Sequence, residues 1–129
     1  MSYSGHGSAN VWRGNLLTNA DAGQLQNKES LPVFLIMNCL NGYFVDPGMD
    51  SLSEALLKAP QGGAVAVWAS SAMTYPDSQS AMNQEMYRQV FNNRGIRIGD
   101  AVVRAKTAAL DMDVRQTWIL FGDPTMQLK

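Results

Sequence analysis

Three apolar segments, each seven or eight residues long and bounded by turn residues, constrain the fold of this 129-residue chain most strongly. They cover residues 32–38, 63–70 and 116–122. Their apolar residues run nearly without interruption instead of alternating with polar ones. Such runs are typical of strands that helices cover on both faces. The chain is therefore predicted to contain a buried, mainly parallel sheet.

Helical patterns separate these segments. A capping box at Ser51 and Glu54 opens one helix, and Pro76 opens a second. A third helical pattern covers residues 99–111, and a weaker one covers 20–26. Strands that alternate with helices indicate an α/β fold, here a three-layer arrangement within a single domain that spans residues 1–129.

Composition and charge exclude several classes of function. Ten basic residues against eleven acidic ones give a net charge of −1, so there is no basic surplus to attract nucleic acid. The longest apolar stretch is too short to form a membrane span. The single cysteine excludes an internal disulfide, and the single histidine disfavours a metal site built on histidine and cysteine clusters. The sequence thus predicts no metal and no cofactor.

His6 and Cys39 each follow the end of a predicted strand. A short strand at residues 1–4 would precede His6, and Cys39 follows the strand at 32–38. In α/β sheets, reactive groups gather outside the carboxyl ends of the strands. The separation of 33 positions leaves room for a right-handed crossover that makes the two strands parallel neighbours. We therefore expect imidazole and thiol to emerge side by side at one edge of the sheet.

Two interpretations of this pair remain open from the residues alone. A free cysteine usually behaves as a small buried hydrophobe, and a lone His6 between glycines is often a turn residue. Alternatively, the imidazole ionises the thiol of Cys39, and the thiolate attacks a carbonyl carbon. Gly5 and Gly7 leave the backbone bare around the imidazole, and the N–H groups of Gly7 and Cys39 can stabilise an oxyanion. The residues at 41–42 predict open space beyond the thiol.

Five segments, in order along the chain, resemble the gingipain-like cysteine peptidases. They are YSGHG at 3–7, NCLNGYF at 38–44, SEAL at 53–56, WASS at 68–71 and GDP at 122–124. The resemblance covers nearly the whole chain, and it implies a caspase-like α/β fold and the hydrolysis of peptide bonds by a cysteine-type endopeptidase.

The resemblance also implies roles for individual residues. Cys39 would be the nucleophile, His6 the general base and acid, and the N–H groups of Gly7 and Cys39 the oxyanion donors. The pocket for the side chain before the scissile bond would be flanked by Ser4, Gly5 and Met37 and, in the loop at 69–75, by Ser71 and Tyr75. The resemblance implies a protein or peptide as the substrate.

In the gingipain-like family, further strands precede the histidine strand and supply an acid associated with the histidine. The resemblance therefore implies that the chain is the C-terminal portion of such a catalytic domain. An N-terminal strand without its earlier neighbour would expose an edge, so either self-association through this edge or fraying of residues 1–8 is expected. An inactive remnant that acts as an interaction or regulatory module is the alternative. Because relatives are often secreted bacterial proteins, secretion or a place in the cell envelope is expected by analogy.

Overall fold

The computed structural model describes residues 1–128, and its centre is a four-stranded sheet. In chain order the strands are β1 (Ser2–Ser4), β2 (Gly7–Ser8), β3 (Val11–Trp12), β4 (Val33–Met37), β5 (Ala66–Ser70) and β6 (Trp118–Phe121). The sheet has the order β1-β4-β5-β6, in which β1, β4 and β5 are parallel and β6 is antiparallel to β5. The prediction of a mainly parallel sheet is confirmed.

Helices cover both faces of this sheet. They are α1 (Asn19–Gly23), α2 (Leu52–Lys58), α3 (Pro76–Asn92), α4 (Ile98–Ala108) and α5 (Met112–Thr117), and a short 3-10 turn covers Arg13–Asn15. One core joins α1 and α2 to the face that carries Phe34 and Ile36. The other joins α3, α4 and α5 to the face that carries Leu35 and Trp68. Successive residues of β4 thus point to opposite cores, which gives the predicted three layers.

The weak helical pattern at 20–26 corresponds to α1, which begins and ends earlier, and the region after α4 also differs from what the sequence predicts. The pattern at 99–111 ends earlier, at the end of α4, because Asp111 caps a separate helix. Its carboxylate accepts hydrogen bonds from the N–H groups of Asp113 (2.9 Å) and Val114 (3.3 Å). The new helix, α5, takes the first two positions of the segment predicted as the last strand, so β6 is shorter than expected.

The hairpin of β2 and β3 was not predicted, and it lies directly after His6. Its two-residue strands pair Gly7 with Trp12 in antiparallel register. The indole of Trp12 stacks on the ring of Tyr3, with the ring centroids 4.0 Å apart and an angle of 6° between the planes. This stacking packs the hairpin against β1. Within the described chain, no helix is long and apolar enough to cross a membrane.

Candidate active site

The pairing of β1 with β4 sets the positions of His6 and Cys39. Ser4 lies opposite Met37 in the parallel register, and the N–H of Gly5 donates a hydrogen bond of 3.1 Å to the Met37 carbonyl just beyond the strand end. His6 is two residues past Ser4, and Cys39 is two residues past Met37. Both residues therefore lie just beyond the carboxyl edge of the sheet, each two positions along the chain after a paired residue.

The backbone around His6 is held, whereas its side chain is exposed. The carbonyl of His6 accepts hydrogen bonds from the hydroxyl of Tyr3 (2.8 Å) and from the N–H of Arg13 (2.9 Å). No side chain among residues 1–128 hydrogen-bonds to the imidazole ring. The site thus presents an imidazole on a fixed main chain and leaves the ring accessible to a ligand.

Cys39 is half-buried under the loop that follows β5. Its thiol donates a hydrogen bond of 3.5 Å to the carbonyl of Thr74. The next residue, Leu40, has a φ of 67°, a left-handed conformation that a bulky side chain rarely adopts. The N–H of Leu40 donates to the carbonyl of Ala72 at 3.3 Å. Strain of this kind persists only where neighbouring structure enforces it, and here the loop at 71–75 lies against the strained turn.

The interpretation that residues 41–42 leave open space beyond the thiol is wrong. Asn41 and Gly42 are both buried. The N–H of Gly42 donates a 2.8 Å hydrogen bond to the carbonyl of Ser70, and a Cβ at this position would lie 3.0 Å from the carbonyl oxygen of Ala69. Because Gly42 has no side chain, the turn at 38–42 that carries the thiol packs directly on the end of β5.

A cavity of about 170 Å³ opens beside the imidazole. It is lined by Ser4, Gly5, His6, Met37, Pro76, Gln79, Ser80 and Asn83. The sequence prediction included the β1 and β4 residues of this wall, and it missed the polar residues of α3. Their spacing of three and four places them on one face of the helix, beside the apolar stripe that faces the core. A row of polar residues next to the apolar stripe of Met82 and Met86 was the sequence signal that could have indicated this wall.

Two residues predicted to flank the pocket lie outside this cavity lining. The N–H and the hydroxyl of Ser71 both donate to the carbonyl of Thr117, at 2.8 and 3.0 Å. Tyr75 precedes α3, and its side chain is 80% exposed. Both residues belong to the loop whose Thr74 carbonyl contacts the Cys39 thiol. This loop lies on the thiol side of the site, and neither residue lines the cavity beside His6.

Carboxylates in the nearby loops are engaged locally. Asp50 pairs with Lys58 at 2.6 Å, and this hydrogen bond raises the pKa of Lys58. Asp46 accepts a 2.8 Å hydrogen bond from the N–H of Gly48. The part of the chain that the structure describes contains no group of three histidine, cysteine, aspartate or glutamate side chains that can hold a metal ion.

The sheet order, the helices on both faces and the known structures with the same architecture define a partial caspase-like α/β fold. The sequence pattern of peptidase family C25 matches residues 1–129, and the chain belongs to this family. The resemblance to gingipain-like peptidases is thereby confirmed.

Curated relatives include gingipain R2 and gingipain R1 of Porphyromonas gingivalis, each 27% identical over 143 residues. The alignments cover 100% of this chain but only 19% and 14% of these relatives, so the chain spans a fifth of their length or less.

Solved structures include the Arg-specific cysteine proteinase gingipain R, which is 27% identical with a TM-score of 0.83. That comparison covers 99% of this chain and 33% of the proteinase chain. A complex of pro- and mature domains from Porphyromonas gingivalis superposes with a TM-score of 0.86 at 24% identity, over 99% of this chain and 33% of that chain. The relatives are cysteine peptidases.

Proposed function

We propose that the chain supplies the nucleophile, Cys39, and the general base and acid, His6, of a cysteine endopeptidase domain. The observation that carries this proposal is the equal offset of both residues from the paired positions Ser4 and Met37. Because neighbouring strands lie about 4.8 Å apart, equal offsets on parallel neighbours bring the two side chains out at the same edge.

The reaction would proceed by acyl transfer through the thiol. His6 takes the proton of the Cys39 thiol, and the thiolate attacks the carbonyl carbon of the scissile peptide bond. The N–H groups of Gly7 and Cys39 donate to the developing oxyanion. The imidazolium then gives its proton to the leaving amine, which leaves a thioester. Water, deprotonated by His6, opens the thioester and regenerates the thiol.

The loop at 71–75 takes part in this scheme through its contact with the thiol. The Thr74 carbonyl accepts a hydrogen bond from the Cys39 thiol, so this hydrogen bond has to break when the proton passes to the imidazole. The hydroxyl of Thr74 accepts a 2.8 Å hydrogen bond from Gln79, which connects the loop to the cavity wall. Ser71 and Tyr75 in this loop stay predictions as substrate-flanking residues.

We place the substrate side chain that precedes the scissile bond in the cavity beside His6. Ser4, Gly5 and Met37 line its sheet side, and the polar face of α3 lines the other. Among the described lining residues only His6 is titratable, so the wall formed by this chain offers hydrogen bonds rather than a fixed charge.

Alkylation of the thiol tests the proposal without a substrate. We expect Cys39 to react with iodoacetamide at pH 6, where only about 0.3% of an ordinary free thiol is ionised. The His6→Ala variant should react at least about tenfold more slowly at this pH, because it lacks the imidazole that would stabilise the thiolate. Since the chain contains one cysteine and one histidine, both the label and the substitution are unambiguous.

Arg13→Ala is the matched control for this experiment. It removes an exposed cation from the segment whose N–H donates to the His6 carbonyl, and it leaves the imidazole in place. Its alkylation rate should stay within about twofold of the parent chain. A pH midpoint near 8.5 that does not respond to His6→Ala would rule out the catalytic pair. That result would favour the alternative function, an inactive interaction or regulatory module.

We also propose that the outer edge of β1 pairs with a second copy of the chain. Met1 and Gly5 make the backbone bonds to β4, so the alternating N–H groups of Ser2 and Ser4 point toward the edge. Neither residue carries the charge or the proline that blocks edge pairing. Light scattering should show association that rises with concentration, accompanied by slower amide exchange at Ser4. Ser2→Lys should weaken it, whereas a monomer with a protected Ser4 amide would contradict it.

A further inference from the structure

A buried pair of carboxamides connects the segment after the imidazole to the turn that carries the thiol. Asn38 is 1% exposed and Asn41 is 0% exposed. The Nδ2 group of Asn38 donates to Oδ1 of Asn41. The Nδ2 group of Asn41 in turn donates to the carbonyls of Ser8 (2.5 Å) and Val11 (3.5 Å), on the two strands of the β2–β3 hairpin.

The same pair touches the main chain next to His6. A Cβ placed on Gly7 would overlap the Nδ2 group of Asn38 and would lie 3.1 Å from its Cγ. Asn38 precedes the proposed nucleophile, and Gly7 follows the proposed base. The contact therefore sets how closely the two reactive segments approach each other.

The hydrogen bonds of the pair indicate that it serves placement more than stability. A buried carboxamide is costly unless its polar atoms have partners. Oδ1 of Asn38 has none among the described residues, yet this residue is almost fully buried. Apolar side chains of similar size can fill such a space without an unpaired acceptor. What they cannot do is bind the Ser8 and Val11 carbonyls and fix the hairpin relative to the thiol turn.

We propose that Asn41, supported by Asn38, is a positioning residue for the thiol chemistry. It holds the main chain of residues 6–8 against the turn at 38–42, so that the imidazole and the thiol keep one relative placement. The proposal rests on the proposed function, and it adds two residues that act through the backbone and not on the substrate.

Asn41→Leu tests this role in the full chain. Leucine keeps the branched shape and removes the donors without adding a charge near the thiol. Alkylation of Cys39 at pH 6 should slow about tenfold, which corresponds to about one unit in the pH midpoint. His6→Ala combined with Asn41→Leu should be no slower than His6→Ala alone, because both substitutions remove the same interaction.

Asn27→Leu is the matched control. Nδ2 of Asn27 donates to the carbonyls of Ser30 (3.1 Å) and Gly63 (3.0 Å), and its Oδ1 accepts from the N–H of Gly63 (2.8 Å). It therefore also ties one loop to another, in a tether that does not involve the two reactive segments. This variant should lose stability but keep the alkylation rate at pH 6 within about twofold.

Asn38→Ala is a milder second variant for the case in which Asn41→Leu does not fold. It leaves the Asn41 bonds to the hairpin intact, and it removes the contact with Gly7. We expect about a threefold slowing at pH 6, together with displaced NMR resonances of the Gly7 amide and the single histidine ring.

The outcomes separate this proposal from the proposed function. If His6→Ala slows alkylation but Asn41→Leu and Asn38→Ala behave like Asn27→Leu, the positioning role is wrong and the catalytic pair stands. If His6→Ala has no effect, the catalytic pair fails, and the resonances of Gly7 and His6 decide the positioning role. Displacement of these resonances by the Asn41 or Asn38 variants, and not by Asn27→Leu, supports it. Unchanged resonances overturn it.

Discussion

Replacing Trp68 by alanine should lower the free energy of unfolding by about 3–5 kcal/mol, a large part of what holds a domain of this size together. Trp68 is fully buried at the centre of β5, between Leu35 of β4 and Leu120 of β6. Its ring lies 6.4 Å from that of Trp118 in an edge-to-face arrangement with a 67° angle between the planes. Its indole N–H has no partner within residues 1–128, which favours the lower half of the range.

Urea denaturation followed by far-UV circular dichroism measures this loss without relying on tryptophan fluorescence. Tyr75→Ala is the control, because this large side chain is 80% exposed and its removal should change stability by no more than about 0.5 kcal/mol. A loss below about 1 kcal/mol for Trp68→Ala would show that the indole is not packed between the strands as described.

Gly122→Ala should destabilise the fold by about 2–5 kcal/mol through two separate effects. Gly122 directly follows β6 and has a φ of 133°, which an alanine adopts only under strain. An added Cβ would also lie 2.8 Å from the Cβ of Ala66 and 3.1 Å from the carbonyl oxygen of Val65. The glycine therefore permits the chain to leave the sheet in close contact with the start of β5.

Two other glycines separate the effects in the same denaturation experiment. Gly95 has a φ of 77° and open space around it, so Gly95→Ala should show backbone strain alone, about 1 kcal/mol. Gly23 has open space and no positive φ, so Gly23→Ala should be close to neutral. If Gly122→Ala cost no more than Gly95→Ala, the close approach to Ala66 would be wrong.

The features that the sequence predicted well are those that a short segment determines by itself. The uninterrupted apolar runs located β4 and β5, and Ser51 marked the start of α2 through its capping box. The β2–β3 hairpin was missed because two-residue strands carry no periodicity. The hairpin is held by the stacking of Trp12 on Tyr3 and by the hydrogen bond from Asn41 to the Ser8 carbonyl. Such tertiary contacts leave no periodic pattern in the sequence.

The same distinction applies to the candidate site. The position of Cys39 followed from the end of an apolar run that is visible in the sequence, whereas the strand before His6 is too short to show a pattern of its own. The contribution of α3 to the cavity did not follow from the sequence, because it depends on how the helix packs on β1 and β4. Asn38 and Asn41 offered a faint signal, as amides that interrupt an apolar run beside a cysteine. Only the tertiary hydrogen bonds from Asn41 to Ser8 and Val11 show that these amides connect the hairpin to the turn that carries the thiol.

The parallel pairing of Ser4 with Met37 also determines when the proposed site can form during folding. The two partners are 33 positions apart. The entropy lost in closing a loop of this length has to be overcome before the strand pairing contributes any stability. During synthesis His6 leaves the ribosome well before Cys39, and the two cannot meet until the whole crossover has emerged and β4 has formed. An activated thiol on an unfolded chain would be exposed to oxidation and to stray acyl groups. Under the proposed function, dividing the pair between two distant strands means that the imidazole can act on Cys39 only once the sheet around it is complete.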